Sequence, residues 1–369
     1  MDDRVREHAD VLVDWSARIE PGDDVVVDVA EDAHDLAVAV AEKLGEVGAN
    51  VVTTYDAAEV SRAYLKAHDG EFEAGDHELA LVEAADAYLR LGGGRNTTAL
   101  ADVASDTRQA SSRARTDIRE ARMATDWVST VHPTRSLAQQ AGMAYEEYRE
   151  FVYDAVLRDW EALADRMAEM KEILDEGSEV RLVTEREDQP PTDLTMAIEG
   201  RTAVNSAASV AYDSHNLPSG EVFTAPYDTE GEVFFDVPMT INSTRVRGVH
   251  LTFGGGEVVD FAAEQGEAEI ASVLETDEGA RRLGELGIGM NRGIDRATDN
   301  ILFDEKMGDT VHLAVGRAYD MNLPEGESGN DSAVHVDMIT DVSEASRLEV
   351  DGEVVQRNGT FRFEDGFEE

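Results

Sequence analysis

A chain of 369 residues is long enough for two domains with substantial cores, and a 42% hydrophobic content marks it as globular rather than disordered. Its 79 acidic against 32 basic residues give a formal net charge of -47, which argues against nucleic-acid binding, since that needs a Lys/Arg surface. The absence of cysteine rules out disulfides, thiolate catalysis and a cysteine-type zinc site. Lysine occurs only at positions 43, 66, 171 and 306, and acid excess with lysine scarcity reads as adaptation to high salt, where a screened carboxylate surface keeps a protein hydrated.

The N-terminal MDDRVREHADVLVDW is charged and amphipathic, without the apolar core of a signal peptide, and no apolar run reaches membrane-spanning length. A cytoplasmic protein with no membrane partner is the expectation. Helical spacing over 3–19, ended by Pro21-Gly22, is followed by an apolar strand at 25–30, a helix at 32–47 closed by Gly48, and a strand at 51–55. Helical stretches at 59–67 and 77–84 and a strand at 87–91 continue the alternation, which predicts a parallel, Rossmann-like layer. The following Gly92-Gly93-Gly94 lacks a nucleotide-binding spacing and reads as a turn. Residues 108–123 hold five arginines, the one local basic concentration; a solvated helix laced with acids is the plainer reading, and an anion site the other. A long apolar stripe predicts one helix over 143–173.

Near 177 the period shortens. Segments at 180–184, 194–198, 231–237, 245–253 and 257–261 read as strands, the last two joined by a Gly254-Gly255-Gly256 hairpin turn. The expected organisation is therefore α/β: a Rossmann-like N-terminal α/β domain over 1–177, then an α+β, largely antiparallel β domain over 178–369.

The chemistry concentrates in 300–337, where Asp304, Glu305, His312, Tyr319, His335 and Asp337 fall together although the chain has only 9 histidines. The strand AVHVDM puts His335 and Asp337 at i and i+2 on one face, suited to a divalent ion; a satisfied buried His–Asp pair fits the same spacing. Upstream, Glu221 lies in the turn-rich NLPSGEVFTAP, and Glu285 follows DEGARRLG at a glycine-flanked site. His132, His215 and His250 lack partner spacing and read as structural.

NLPSGEVFTAP, DEGARRLGE, LFDEKMGDTVHLAVGRAY and HVD, in that order over about residues 193–337, resemble the aminopeptidase T and aminopeptidase S family of two-metal metallopeptidases. VHPTRSLAQQAGMAYEEY extends the resemblance upstream. It implies metal ligands at Glu221, Glu285, Glu305, His312, His335 and Asp337, a functional tyrosine at Tyr319, a homodimer, and peptide substrates with a free N-terminus. Two divalent ions, whether zinc, cobalt, manganese or magnesium, would polarise the scissile carbonyl and acidify a water. Glu285 would be the bridging carboxylate, Glu221 a ligand, a catalytic base or both, and Tyr319 a donor to the oxyanion. Two further readings stand beside this one: a two-metal hydrolase of phosphate esters, and a ligand-binding α/β protein without turnover.

Overall fold

The computed structural model describes residues 2–242 and 244–368. The chain forms two compact units: residues up to 158 with Ala208–Pro218, and Asp159–Ala207 with the chain from Ser219 onward. The division expected near 177 falls one helix later than the chain's passage at 158.

The first unit is built on a five-stranded parallel sheet in the order Asn50–Asp56, Asp24–Ala30, Ala87–Gly92, Asp126–Val131, Asn216–Leu217. Val25, Val27, Val29, Leu89, Leu91 and Val128 are buried on it, as β-branched and aliphatic residues are in a covered parallel sheet. The first helix, Asp3–Asp10, continues as a π-helical turn over Val11–Ser16. His34–Val47 ends at Gly48 in the left-handed region (φ 86°), as a C-terminal glycine permits. The arginine-rich stretch forms two helices, Ser105–Ala114 and Thr116–Met123. The helix expected over 143–173 is two helices, Tyr145–Val156 and Trp160–Glu176. Asp159 starts the second by accepting from the Ala162 N–H, a cap that restarts a helix where the apolar stripe alone showed no interruption.

The second unit carries a nine-stranded and a five-stranded sheet. Thr244–Gly254 and Glu257–Gln265 pair antiparallel across Gly255 and Gly256, both at positive φ, so the expected hairpin turn is present. The five-stranded sheet is antiparallel throughout, in the order His335–Asp341, Thr310–Gly316, Leu283–Gly289, Glu221–Thr224, Val204–Ser206. A parallel α/β layer followed by largely antiparallel sheets is the α/β class read from the sequence. No helix among the described residues is long and apolar enough to cross a membrane.

Candidate metal centre

The five-stranded sheet explains how residues more than a hundred positions apart meet. Side chains alternate faces along a strand, and residues directly paired across an antiparallel ladder share a face. The register pairs Glu221 with Gly289, Gly287 with His312, Glu285 with Ala314, Ala314 with Asp337, and Gly316 with His335. One face therefore carries Glu221, Glu285, His312, His335 and Asp337, interleaved with Gly287, Gly289, Ala314 and Gly316. The small residues leave room for the functional ones. A Cβ at Gly287 would lie 1.9 Å from His312 Nε2, so the imidazole occupies space that only glycine leaves open.

Two groups of donor atoms result, Glu221–Glu285–His312 and Glu285–His335–Asp337, each with its atoms within 4.8 Å of one another. Glu285 belongs to both. His312 Nε2 is 3.0 Å from Glu285 Oε1 and 3.5 Å from Glu221 Oε2, while His335 Nε2 lies 3.4 Å from Glu285 Oε2 and 3.5 Å from Asp337 Oδ1. His335 Nδ1 is 2.8 Å from the Arg317 carbonyl oxygen. An N–H donated there fixes the tautomer and turns the Nε2 lone pair toward the carboxylates, the usual support for a ligating histidine.

The electrostatics ask for cations. Burial pushes the Glu221 carboxyl up, against the pull of Lys306 and His312. Burial likewise pushes Glu285 up, but hydrogen bonds with His312 and His335 overcome it and hold the group down at about 2. Burial lowers His335, yet Asp337 and Glu285 raise it to about 10. Glu221 Oε2 and Asp337 Oδ1 are buried acceptors without a hydrogen-bond partner among the described residues. Buried carboxylates in excess of buried cations are costly unless metals or protons compensate, and an oxygen-rich set with two imidazoles fits divalent metals.

Glu305 stands apart from both groups. It follows the short helix Ile301–Asp304, and its carboxylate is ion-paired to Lys306, whose Nζ is 3.4 Å from Glu221 Oε1. Lys306 is 0% exposed, and the sequence reading passed over it; the signal was there, since only four lysines occur and one adjoins a proposed ligand. Asp304 turns away to accept from the backbone N–H and the hydroxyl of Thr298. The Tyr319 ring is 4.9 Å from that of His335 and 42% exposed. Burial of its polar end, then the charges of Glu285, Asp337 and Glu221, push its hydroxyl well above the ordinary range. The three histidines whose sequence spacing reads as structural have different company. His215 stacks on Trp127 at 4.5 Å, His250 lies 3.1 Å from Glu232, and His132 is buried.

A sheet face that gathers two carboxylates and two imidazoles around a shared glutamate has the make-up of a carboxylate-rich metal centre of the metallohydrolase kind. The comparison with known proteins is more particular: residues 1–366 match the family model described as thermophilic metalloprotease (M29). The chain belongs to that family and is a metal-dependent hydrolase of peptide bonds. It is similar to aminopeptidase 2 of Geobacillus stearothermophilus, 28% identical over 412 aligned positions covering 97% of each chain. It is also similar to aminopeptidase T of Thermus aquaticus, 37% identical over 44% of this chain and 43% of that one. The solved structure of wild-type AmpT from Thermus thermophilus superposes with a TM-score of 0.84 at 26% identity, covering 98% of this chain and 99% of the other.

Proposed function

We propose that this metallopeptidase is an aminopeptidase working through a binuclear centre in the second unit, with Glu285 as the carboxylate shared by two divalent ions. The observation that carries the reading is the double membership of Glu285, whose two oxygens face His312 and His335 respectively. Glu221 and His312 complete one side; His335 and Asp337 complete the other. Glu305, beside Lys306, is the sixth ligand. The ions, when bound, supply a polarised carbonyl and an acidified water, and the donor set is compatible with zinc, cobalt, manganese or magnesium.

The protein's own groups divide the remaining work. Glu221 Oε2, unpartnered and buried, serves as ligand and as acceptor of the water proton. Tyr319 keeps its proton and donates a hydrogen bond to the oxyanion that forms at the substrate carbonyl. The surrounding carboxylates attract the ammonium of a free N-terminus, which agrees with the aminopeptidase names of the relatives. The reading extends to a homodimer in a saline cytoplasm, supported by the family resemblance and the charge of -47.

The test joins metal analysis to a peptide digest in multimolar salt. Two ions per chain, fewer in Glu285→Gln, and stepwise release of residues from free N-termini are expected. A single ion in the wild type would overturn the binuclear centre, and equal cleavage of N-acetylated peptides would overturn the aminopeptidase assignment.

A further inference from the structure

The arginine-rich stretch takes no part in the centre described above. In the first unit, Arg90, Arg115, Arg119 and Arg122 line one cavity of about 440 Å³, bounded by the strands through Asp28 and Tyr88 and by the helix Thr116–Met123. A helix that covers a sheet ordinarily turns apolar side chains toward it. Here Arg119 and Arg122, at i and i+3 on one helix face, join Arg90 from the strand Ala87–Gly92, in a chain of net charge -47.

The cluster is under-neutralised. Arg115 is ion-paired with Glu78. Among the described residues, no carboxylate lies within ion-pair distance of Arg90, Arg119 or Arg122. The acids on the wall have other donors: Asp28 accepts from the Thr54 hydroxyl at 3.0 Å and Asp56 from the Ser61 hydroxyl at 2.9 Å. The Arg122 guanidinium lies over the Trp127 ring at 5.4 Å and the Tyr88 ring at 5.9 Å, so cation–π contacts hold it in place. Its buried Nε has no hydrogen-bond partner among the described residues.

We propose that this cavity binds a small oxyanion, a phosphate or carboxylate group, through Arg90, Arg119 and Arg122. Guanidinium groups match the planar, two-pronged geometry of such anions. An anion there would relieve the mutual repulsion of the three. Burial is the main cause that lowers Arg122 from its ordinary value; the charge of Arg90 and, more weakly, that of Arg119 add to it, against the opposing pull of Tyr88 and Asp28. Tyr88, its hydroxyl pushed up to about 12 by burial and then by Asp28, remains a neutral donor on the same wall.

Full-length protein is titrated calorimetrically with inorganic phosphate and, separately, with succinate at constant ionic strength. Saturable binding of at least one probe, weakened about tenfold or more in both Arg90→Gln and Arg119→Gln, is expected. Which probe binds more tightly assigns the anion class. Both side chains are exposed, and thermal midpoints check that the variants fold. No saturable binding of either probe, or equal binding by wild type and both variants, overturns the proposal.

Discussion

Lys306 Nζ lies 3.4 Å from Glu221 Oε1, and neither residue is open to solvent. Desolvation favours the neutral form of Glu221, and the ammonium is the largest influence opposing it. Removing one partner of such a buried pair leaves the other uncompensated, at a cost of about 3–5 kcal/mol. Lys306→Met should therefore lower the thermal midpoint of the metal-free protein. The double variant Lys306→Met/Glu221→Gln should recover much of the lost stability, because it removes both charges. Strictly additive effects would show that the two groups are not coupled.

Glu221→Gln and Tyr319→Phe address the chemistry. Each retains the shape of the side chain and removes a proton acceptor or donor, so kcat should fall by roughly 10²-fold or more; the thermal midpoint should stay near that of the wild type in Tyr319→Phe and fall in Glu221→Gln, where the buried Lys306 loses one partner. An unchanged kcat in either variant would remove that residue from the proposed mechanism.

Gly287→Ala examines the space on which the centre depends. The added methyl would fall 1.9 Å from His312 Nε2, and His312 is fully buried. The imidazole must shift, so metal affinity should drop at least about tenfold, with the sheet still formed by circular dichroism. Wild-type affinity in this variant would mean that His312 does not ligate from its present position.

Acid sensitivity has a separate source in the first unit. His8 is fully buried, 2.7 Å from the Thr130 hydroxyl through Nε2, and burial, then His132, lowers it to about 3. A histidine depressed in the folded state stabilises the fold above its unfolded value of about 6.5. As pH falls below that value the unfolded chain takes up the proton first, so stability declines between about 6.5 and 3, by up to roughly 5 kcal/mol at the limit. His8→Gln keeps a hydrogen-bonding group near Thr130 and removes the titration. Its stability relative to wild type should improve steadily as pH is lowered through this window in denaturant melts; parallel curves would clear His8 of the effect.

The parts of the fold that sequence made legible are those with a clean period. The apolar, β-branched run VVVDVA lies within a residue of the strand Asp24–Ala30, and AVHVDM overlaps the first four residues of His335–Asp341. Its alternation also put His335 and Asp337 on one face, where they stand. The helix break at 157–159 was not legible, because Leu157, Arg158 and Asp159 include neither glycine nor proline and the apolar stripe runs straight through. The strand Asp126–Val131 was missed because Ser129 and Thr130 blur its alternation. The scarcity of lysine and the neighbouring Glu305 single out Lys306 in the sequence, but its approach to Glu221, 85 positions earlier, is long-range and has no local pattern. Glu285, Gly287 and His312 are neighbours only through strand register, a long-range property. For Glu285 and His312 the ordered motifs pointed to what periodicity lacked.

The sheet face described above also divides the proposed centre into a fixed part and a movable one. Glu221, Glu285, His312, His335 and Asp337 hang on adjacent rungs of one hydrogen-bonded ladder, so the loops joining those strands can lengthen or shorten over evolutionary time without displacing them. Glu305 sits on the turn after Ile301–Asp304, outside the ladder. Insertions and deletions in the 290–309 connection would be felt first at Glu305, and among related chains its position should drift while the other five stay in register.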